Sequence, residues 1–183
     1  MTVPAQTPLP WDPIAEARRQ WVDHDWAQSA DGMAVVTSIM RVQQILLGRV
    51  ESELKPLGLS FARYEMLRLL AFTRDGALPM ASASARLQVH PTSVTNTVDR
   101  LEQAGLAKRV PHPTDGRATL VTITAHGRAM VDEATVLLND QFFGATGFET
   151  DDVATLLSIL ARFRKTFGDF ADPVTQPAPP APL

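Results

Sequence analysis

The chain has 183 residues, a length that suits one domain of ordinary size or two small modules that share a core. Hydrophobic residues make up 45% and charged residues 20%, the balance of a globular protein. The longest apolar stretch without charge, residues 32–40, is too short to span a bilayer. The first seventeen residues contain no Lys or Arg, so no secretory signal is predicted and a cytoplasmic location is expected.

The residue types exclude several kinds of chemistry. The chain has no cysteine, which excludes disulfides, thiolate metal sites and thiol redox switches. Its four histidines, at positions 24, 90, 112 and 126, lack the spacing that would place two metal ligands on one helical face. We therefore expect neither a metal nor a cofactor.

Charge is distributed unevenly along the chain. The formal net charge is −3, which argues at first sight against a nucleic-acid partner. Residues 76–124, however, carry five basic and three acidic side chains, and residues 125–183 carry four basic and eight acidic ones. The local balances are therefore +2 and −4. The positive segment is the one that would attract a polyanion, because the local field matters more than the sum.

The first half of the chain reads as a series of helices between proline-rich termini. Residues 1–10 and 172–183 are predicted to be disordered. Asp12 and Pro13 predict a helix through about Trp26, with an N-cap followed by a first-turn proline. Further helices are predicted over residues 31–55, from Ser60 to a stop at Gly76, over 80–87, and over 91–103.

The second half is predicted to contain a hairpin and two more helices. Strands are expected over residues 106–111 and 118–123, and Thr124 caps a helix that continues to about Phe143. The last helix begins at Thr150. Its apolar stripe is too wide for a lone surface helix and needs a partner; it comprises Val153, Leu156, Leu157, Leu160, Phe163, Phe167 and Phe170.

The order of these elements is that of a winged helix-turn-helix, a mainly α fold with a small β-hairpin wing. In the helix over residues 91–103, Val94, Val98 and Leu101 recur at core-facing spacing. The opposite face is polar and suits contact with base edges and phosphates; it carries Thr92, Ser93, Thr95, Asn96, Arg100 and Gln103. The alternative for this helix alone is an ordinary solvated face.

The hairpin RVPHPTDGRATLVTIT, residues 109–124, places one arginine at its tip. Arg117 in that position suits insertion into the narrow, electronegative minor groove beside a helix in the major groove. Asp115 is expected to orient Arg117 or to close the turn, and Gly116 permits a tight backbone. A hairpin of this kind after such a helix favours DNA binding over a plain turn.

The stretches SVTNTVDRLEQAGL and PTDGRATLVTITAHG resemble the recognition helix, the Asp-x-Arg wing and the following Thr-x-x-Gly of the MarR family of transcriptional regulators. The resemblance runs from about Asp31 to Phe170. It implies an obligate homodimer with interlocking terminal helices, in which each wing and recognition helix reads half of a palindromic operator. Residues 11–57 and 124–171 would then form the dimer, and residues 58–123 the DNA-binding module.

Members of this family are commonly released from DNA by small aromatic or anionic ligands, and the resemblance implies the same control here. The N-terminal RRQW also resembles the urate-responsive branch, with Trp21 and Arg109 on two of its ligand positions. Glu65 replaces the usual aspartate, and Thr97 stands where another arginine is usual, which argues against urate itself. The candidate ligand residues are Trp21, Trp26, Met40, Phe61, Tyr64, Glu65 and Arg109. Alternatively, the two tryptophans only anchor the first helix.

Two other functions stay open at the level of sequence. A winged helix without ligand control could use its basic wing to contact an acidic protein or an RNA. An enzyme is the weaker alternative, because the chain contains no recognisable catalytic triad, Gly-rich phosphate loop or paired-carboxylate motif. The sequence therefore favours a repressor of transcription that is not an enzyme and has no membrane partner.

Overall fold

Seven α-helices and three short strands are found in residues 8–115 and 118–171, which the computed structural model describes. The elements in chain order are α1 (Pro13–Asp23), α2 (Ala27–Leu54), α3 (Phe61–Ala71), β1 (Ala77–Pro79), α4 (Met80–Leu87), α5 (Pro91–Gln103), β2 (Ala107–Pro111), β3 (Thr119–Ile123), α6 (Ala125–Gln141) and α7 (Thr150–Thr166). The mainly α fold expected from the sequence is confirmed. The expected disorder at residues 1–7 and 172–183 concerns positions outside the described part.

The first helix ends earlier, and the second begins earlier, than the sequence predicts. Asp12 caps α1 as expected, accepting the N–H of Ile14 at 2.9 Å. The helix stops at Asp23 because Asp25 adopts a left-handed conformation with φ of 65°. The N–H of Trp26 then bonds the carbonyl of Trp21 at 2.9 Å, which closes a Schellman turn. Trp26 therefore lies between α1 and α2 rather than in α1, and α2 begins at Ala27 rather than Asp31.

The long helix α2 enters the core only near its C-terminal end. Val50 and Leu54 are buried there, and the helix ends before Pro56 as the sequence predicts. Earlier apolar residues of α2 are largely exposed; they are Val35, Val36, Ile39, Met40, Val42, Ile45 and Leu47. An exposed apolar stripe of this length on one helix is typical of an interaction surface.

The wing is part of a three-stranded antiparallel sheet with the order β1-β3-β2. The hairpin strands β2 and β3 pair with Arg109 opposite Val121, as expected for a wing. The sequence did not predict β1, a strand of three residues that ends in Pro79. It forms because Leu78 pairs with Val121 of the central strand, and its proline is tolerated at the sheet edge.

One core holds α3, α4, α5, the sheet and α6 together. Its fully buried members include Leu67 and Leu70 of α3, Leu101 of α5, and Leu138 of α6. The helix α3 ends at Ala71, before the predicted stop at Gly76, and a turn leads into β1. This core fixes α5 and the sheet against one another, and so sets the position of the polar face of α5.

The start of α6 is packed tightly against the start of β2. Thr124 caps α6 as predicted, since its hydroxyl oxygen accepts the N–H of Gly127 at 3.0 Å. The same hydroxyl donates to the carbonyl of Gly105 at 2.8 Å. A Cβ at Gly127 would lie 2.0 Å from the carbonyl oxygen of Leu106, so only glycine fits there. The spacing of Thr124 and Gly127 is thus explained by helix–strand packing.

The described residues fall into two compact units, one ending at Gly144 and the other beginning at Ala145. The second unit contains α7, which begins at Thr150 as predicted but ends at Thr166, before Phe167 and Phe170. No residue of α7 is buried. Leu157 and Phe163 are each more than 60% exposed, so α7 carries large apolar side chains that its own unit does not bury.

Candidate nucleic-acid interface

The helix α5 is held in the core by one face and presents the other to solvent. Val94, Val98 and Leu101 are buried at the positions that the sequence predicts. Pro91 occupies the first turn, where a missing N–H costs nothing. His90 is the N-cap, and its imidazole Nδ1 accepts the N–H of Thr92 at 3.2 Å. In the sequence, the one sign that this histidine is a cap is its place directly before Pro91.

The solvent face of α5 carries all the residues expected there. The exposed side chains are Thr92, Ser93, Thr95, Asn96, Arg100 and Gln103. The Thr95 hydroxyl donates its proton to the Pro91 carbonyl at 3.1 Å, so towards a ligand Thr95 offers its methyl group and a hydroxyl oxygen that can still accept. In the described part of the chain the carboxamide of Asn96 has no partner, so it can donate to and accept from a base edge.

Arg109 of β2 joins the wing to α5 through two carboxylates. Its Nη2 donates to Oδ1 of Asp99 at 2.7 Å, and Nη1 forms an ion pair with Glu102. Its backbone N–H also donates to Glu102 at 2.6 Å. Partial burial alone would lower the pKa of Arg109, but the hydrogen bonds to Asp99 and Glu102 outweigh it and raise the pKa above its ordinary value. No spacing in the sequence predicts this three-residue clamp.

The clamp shapes the charge of the interface. Because Asp99 and Glu102 both pair with Arg109, their combined charge of −2 is reduced to −1 on the side of α5 facing the wing. The solvent face of α5 is left with Arg100 and neutral polar groups, and Lys108 is exposed on β2. A surface with cations and hydrogen-bond donors but few unpaired carboxylates suits contact with phosphates.

The wing turn is built around His112. Its Nδ1 accepts the backbone N–H groups of Thr114 at 3.3 Å and Asp115 at 3.2 Å. The N–H of Ala118 donates to the carbonyl of Asp115 at 3.0 Å, so Asp115 closes the turn through its backbone. The tip residues Gly116 and Arg117 lie outside the described part, so the sequence-based assignment of Arg117 to DNA contact stays a prediction.

The candidate ligand residues include two pairs of aromatic rings in contact. Trp21 and Trp26 meet edge to face with ring centroids 5.4 Å apart, and Phe61 stacks on Tyr64 at 6.1 Å. The Trp pair is the apolar contact that accompanies the Schellman turn, which is a structural role. The remaining candidates are Met40, exposed on α2, Glu65, whose carboxyl pKa is raised by burial, and Arg109, which is bound to α5.

Two shallow pockets are found in the unit that ends at Gly144, and none of the candidate ligand residues lines them. One, of about 500 Å³, is lined by residues of α6 such as Val136 and Asp140. The other, of about 310 Å³, lies beside Trp11 and Arg41. Within residues 8–115 and 118–171, no group of three or more acidic or histidine side chains is placed to hold a metal ion. No helix in that part is both long and apolar enough to cross a membrane.

A recognition helix, a three-stranded sheet with a wing and a basic polar face together define a winged helix-turn-helix of the DNA-binding class. A sequence profile of the MarR family matches residues 57–118. The HTH-type transcriptional repressor Mb2911 of Mycobacterium bovis is 30% identical over 105 residues, covering 57% of this chain and 74% of that protein.

Solved structures agree with the sequence match. Sco5413, a MarR family transcriptional regulator from Streptomyces coelicolor, is 48% identical with a TM-score of 0.70, covering 78% of this chain and 99% of that chain. A MarR variant from Escherichia coli, solved with operator DNA, shares the fold with a TM-score of 0.67 at 24% identity, over 74% of this chain and 96% of its own. The chain belongs to the MarR family of DNA-binding transcriptional regulators, which are not enzymes.

Proposed function

We propose that the chain is a homodimeric, sequence-specific repressor of transcription that binds a palindromic DNA operator and is released by a small aromatic or anionic ligand. The observation that carries the DNA-binding part is the solvent face of α5. It gathers hydroxyl, carboxamide and guanidinium groups in and beyond the first turn, while both carboxylates of the helix pair with Arg109. This is the chemistry that the major groove accepts.

Within this proposal the contacts divide by type. Asn96 and Thr95 read base edges, because a carboxamide pairs with adenine and a methyl group meets the thymine methyl. Thr92, Ser93 and Arg100 contact phosphates at the ends of the helix. Arg117 enters the minor groove from the wing, supported by the turn that Asp115 closes. The module of residues 58–123 carries these contacts.

The proposed dimer rests on two apolar surfaces. The stripe of α2 and the stripe of α7 each expose large aliphatic or aromatic side chains, among them Ile39 on α2 and Leu157 on α7. Soluble chains rarely leave apolar patches of this extent uncovered, and a two-fold copy of the same chain is the commonest partner. Residues 11–57 and 124–171 would form this interface, and two modules would then face two half-sites.

The proposed ligand control concerns the residues around the start of α3. Phe61 and Tyr64 provide a stacked aromatic pair, and Glu65 adds a carboxyl whose pKa is raised by burial. Trp21, Trp26, Met40 and Arg109 complete the proposed set. An aromatic ligand would stack on the rings of Phe61 and Tyr64. If the bound ligand displaced one helix, the spacing of the two recognition helices in the dimer would change.

The experiment that tests the function is selection of genomic DNA fragments by the purified chain, followed by titration of an enriched duplex at several salt concentrations. The proposal predicts one enriched inverted repeat and affinity that falls steeply with salt. Recovery of random fragments, or the absence of any salt-dependent binding, would contradict it. Small aromatic acids added to the preformed complex then test for release.

A further inference from the structure

Two histidines of the proposed DNA-binding surface share one unusual arrangement. The Nδ1 of His90 accepts the backbone N–H of Thr92 at 3.2 Å. A backbone amide can only donate, so Nδ1 must carry a lone pair. In the neutral ring the proton is therefore on Nε2. The hydrogen bond fixes the tautomer of His90, not only its orientation.

His112 in the wing is fixed in the same way. Its Nδ1 accepts from the backbone N–H of Thr114 at 3.3 Å and from that of Asp115 at 3.2 Å. Both amides are donors, so the neutral ring of His112 again carries its proton on Nε2. Neither Nε2 atom has a hydrogen-bond partner within residues 8–115 and 118–171. Because the two nitrogens of an imidazole point in roughly opposite directions, each N–H faces away from the turn that holds the ring.

This arrangement is not a general property of the histidines in this chain. His24, after α1, has its Nδ1 2.7 Å from the carbonyl oxygen of Gln20. A carbonyl can only accept, so in His24 the proton is on Nδ1. The Nε2–H tautomer is thus associated with the two elements proposed to meet DNA, the start of α5 and the wing.

The first turn of α5, from Pro91 to Val94, has no spare donor on its backbone. Pro91 lacks an N–H, Thr92 donates to the His90 ring, and the N–H groups of Ser93 and Val94 donate to the His90 carbonyl at 2.9 and 3.2 Å. A phosphate at this helix end therefore cannot be bound by the amides of the first turn, as it is in many helix N-termini. Side chains can supply donors instead, and the exposed ring of His90 is placed directly before this turn.

We propose that His90 and His112 are DNA-backbone contacts, each donating a neutral Nε2–H to a phosphate oxygen. This inference rests on the proposed function of α5 and the wing. Both proposed contacts are hydrogen bonds from a neutral ring rather than ion pairs. A protonated ring carries a proton on Nδ1, so it could not accept the backbone N–H groups of its own element. Each histidine therefore has two roles: Nδ1 holds the backbone of its own element, and Nε2–H contacts the DNA backbone.

The test separates the two roles of each ring. His90→Ser keeps an N-cap oxygen for the Thr92 N–H but is too short to reach a phosphate, whereas His90→Ala loses both functions. His112→Asn keeps a side-chain acceptor for the turn, and His112→Ala does not. His24→Gln is the matched control, a surface histidine outside the module. Binding to a 30-base-pair duplex carrying an enriched fragment is measured at pH 8, where an ordinary imidazole is neutral, across a range of salt concentrations.

The proposal predicts that His90→Ser and His112→Asn each lower affinity by about five-fold, with the slope of affinity against salt unchanged because no cation is lost. The His24→Gln control should bind as the unaltered chain, and thermal midpoints of the Ser and Asn variants should stay close to it. Unchanged affinity for the Ser and Asn variants, with or without loss in the Ala variants, would overturn the proposal, as would a shallower salt slope. If the unaltered chain itself fails to bind duplex DNA, the proposed function fails too.

Discussion

The guanidinium of Arg109 on β2 donates to the carboxylate of Asp99 on α5 at 2.7 Å, so the wing and the helix before it are joined by a partly buried ion pair. Glu102 completes the clamp from the next turn of the helix. Arg109 thereby holds the wing in register with α5. This relationship makes Arg109 a positioning residue first, whatever part it also plays in ligand binding.

Replacing Arg109 should therefore weaken DNA binding without a direct loss of contact. For Arg109→Leu we expect about a ten-fold loss of operator affinity, and a free energy of unfolding lower by about 1–3 kcal/mol, because Asp99 and Glu102 are left unpaired. Urea unfolding and anisotropy titration measure the two effects. In a double-mutant cycle with Asp99→Asn the losses should be less than additive. Strict additivity would mean that the ion pair does not couple the wing to α5.

Arg117→Ala should weaken binding to all sequences while largely preserving half-site preference. An arginine in the wing responds mainly to phosphate charge and groove width, so its loss should make the salt slope shallower by about one unit. Arg41→Ala on α2, outside the module, provides a control with the same change of charge. Equal slopes for Arg117→Ala and the unaltered chain would show that the wing tip does not touch DNA.

Asn96→Ala should flatten the preference for one base pair in each half-site. The carboxamide is exposed and has no partner in the described chain, so its removal should leave the thermal midpoint nearly unchanged. A bidentate contact with adenine contributes about 1–3 kcal/mol of discrimination. Affinities are measured against all four base pairs at each half-site position. A uniform loss across this panel would identify Asn96 as a phosphate contact and contradict base reading; Thr95→Ser, which removes only the methyl group, tests the neighbouring contact in the same way.

Glu65→Gln should stabilise the protein at neutral pH. Partial desolvation raises the pKa of the Glu65 carboxyl in the folded state, although the residue keeps contact with solvent. Ionisation of this group therefore opposes folding above its raised pKa and has no such effect below its unfolded value near 4.3. We expect the thermal midpoint of Glu65→Gln to be about 1–3 °C higher at pH 7 and nearly equal at pH 4. Glu133→Gln on α6 is the control. An increase in the thermal midpoint of Glu65→Gln that is larger at pH 4 than at pH 7 would contradict this prediction.

Local signals in the sequence identified most of the fold. The N-caps at Asp12, Ser60 and Thr124 and the first-turn proline of α5 mark helix starts by chemistry that acts within a few residues, and the structure confirms them. The strand β1 was missed because three residues ending in a proline form a strand only when β3 is present to pair with them. The end of α1 was misplaced because Asp25, rather than a glycine, adopts the left-handed conformation there.

The candidate interface was predictable only in part, for a similar reason. Periodicity separates the buried Val98 from the exposed Asn96, and the structure agrees with that division. The clamp of Arg109 with Asp99 and Glu102 depends on how β2 crosses α5, which no spacing in the sequence encodes. The ring of His112 likewise acquires its role from the turn that folds around it.

The central claim is that two copies of this chain read two halves of one operator. The most direct measurement is the mass of the complex with a selected duplex, by light scattering or analytical ultracentrifugation, together with the mass of the chain alone at micromolar concentration. We predict a dimer in both cases, two chains on each duplex, and two half-sites whose centres lie about one helical turn of DNA apart. A stable monomer in solution that binds one half-site as a single chain would contradict the account.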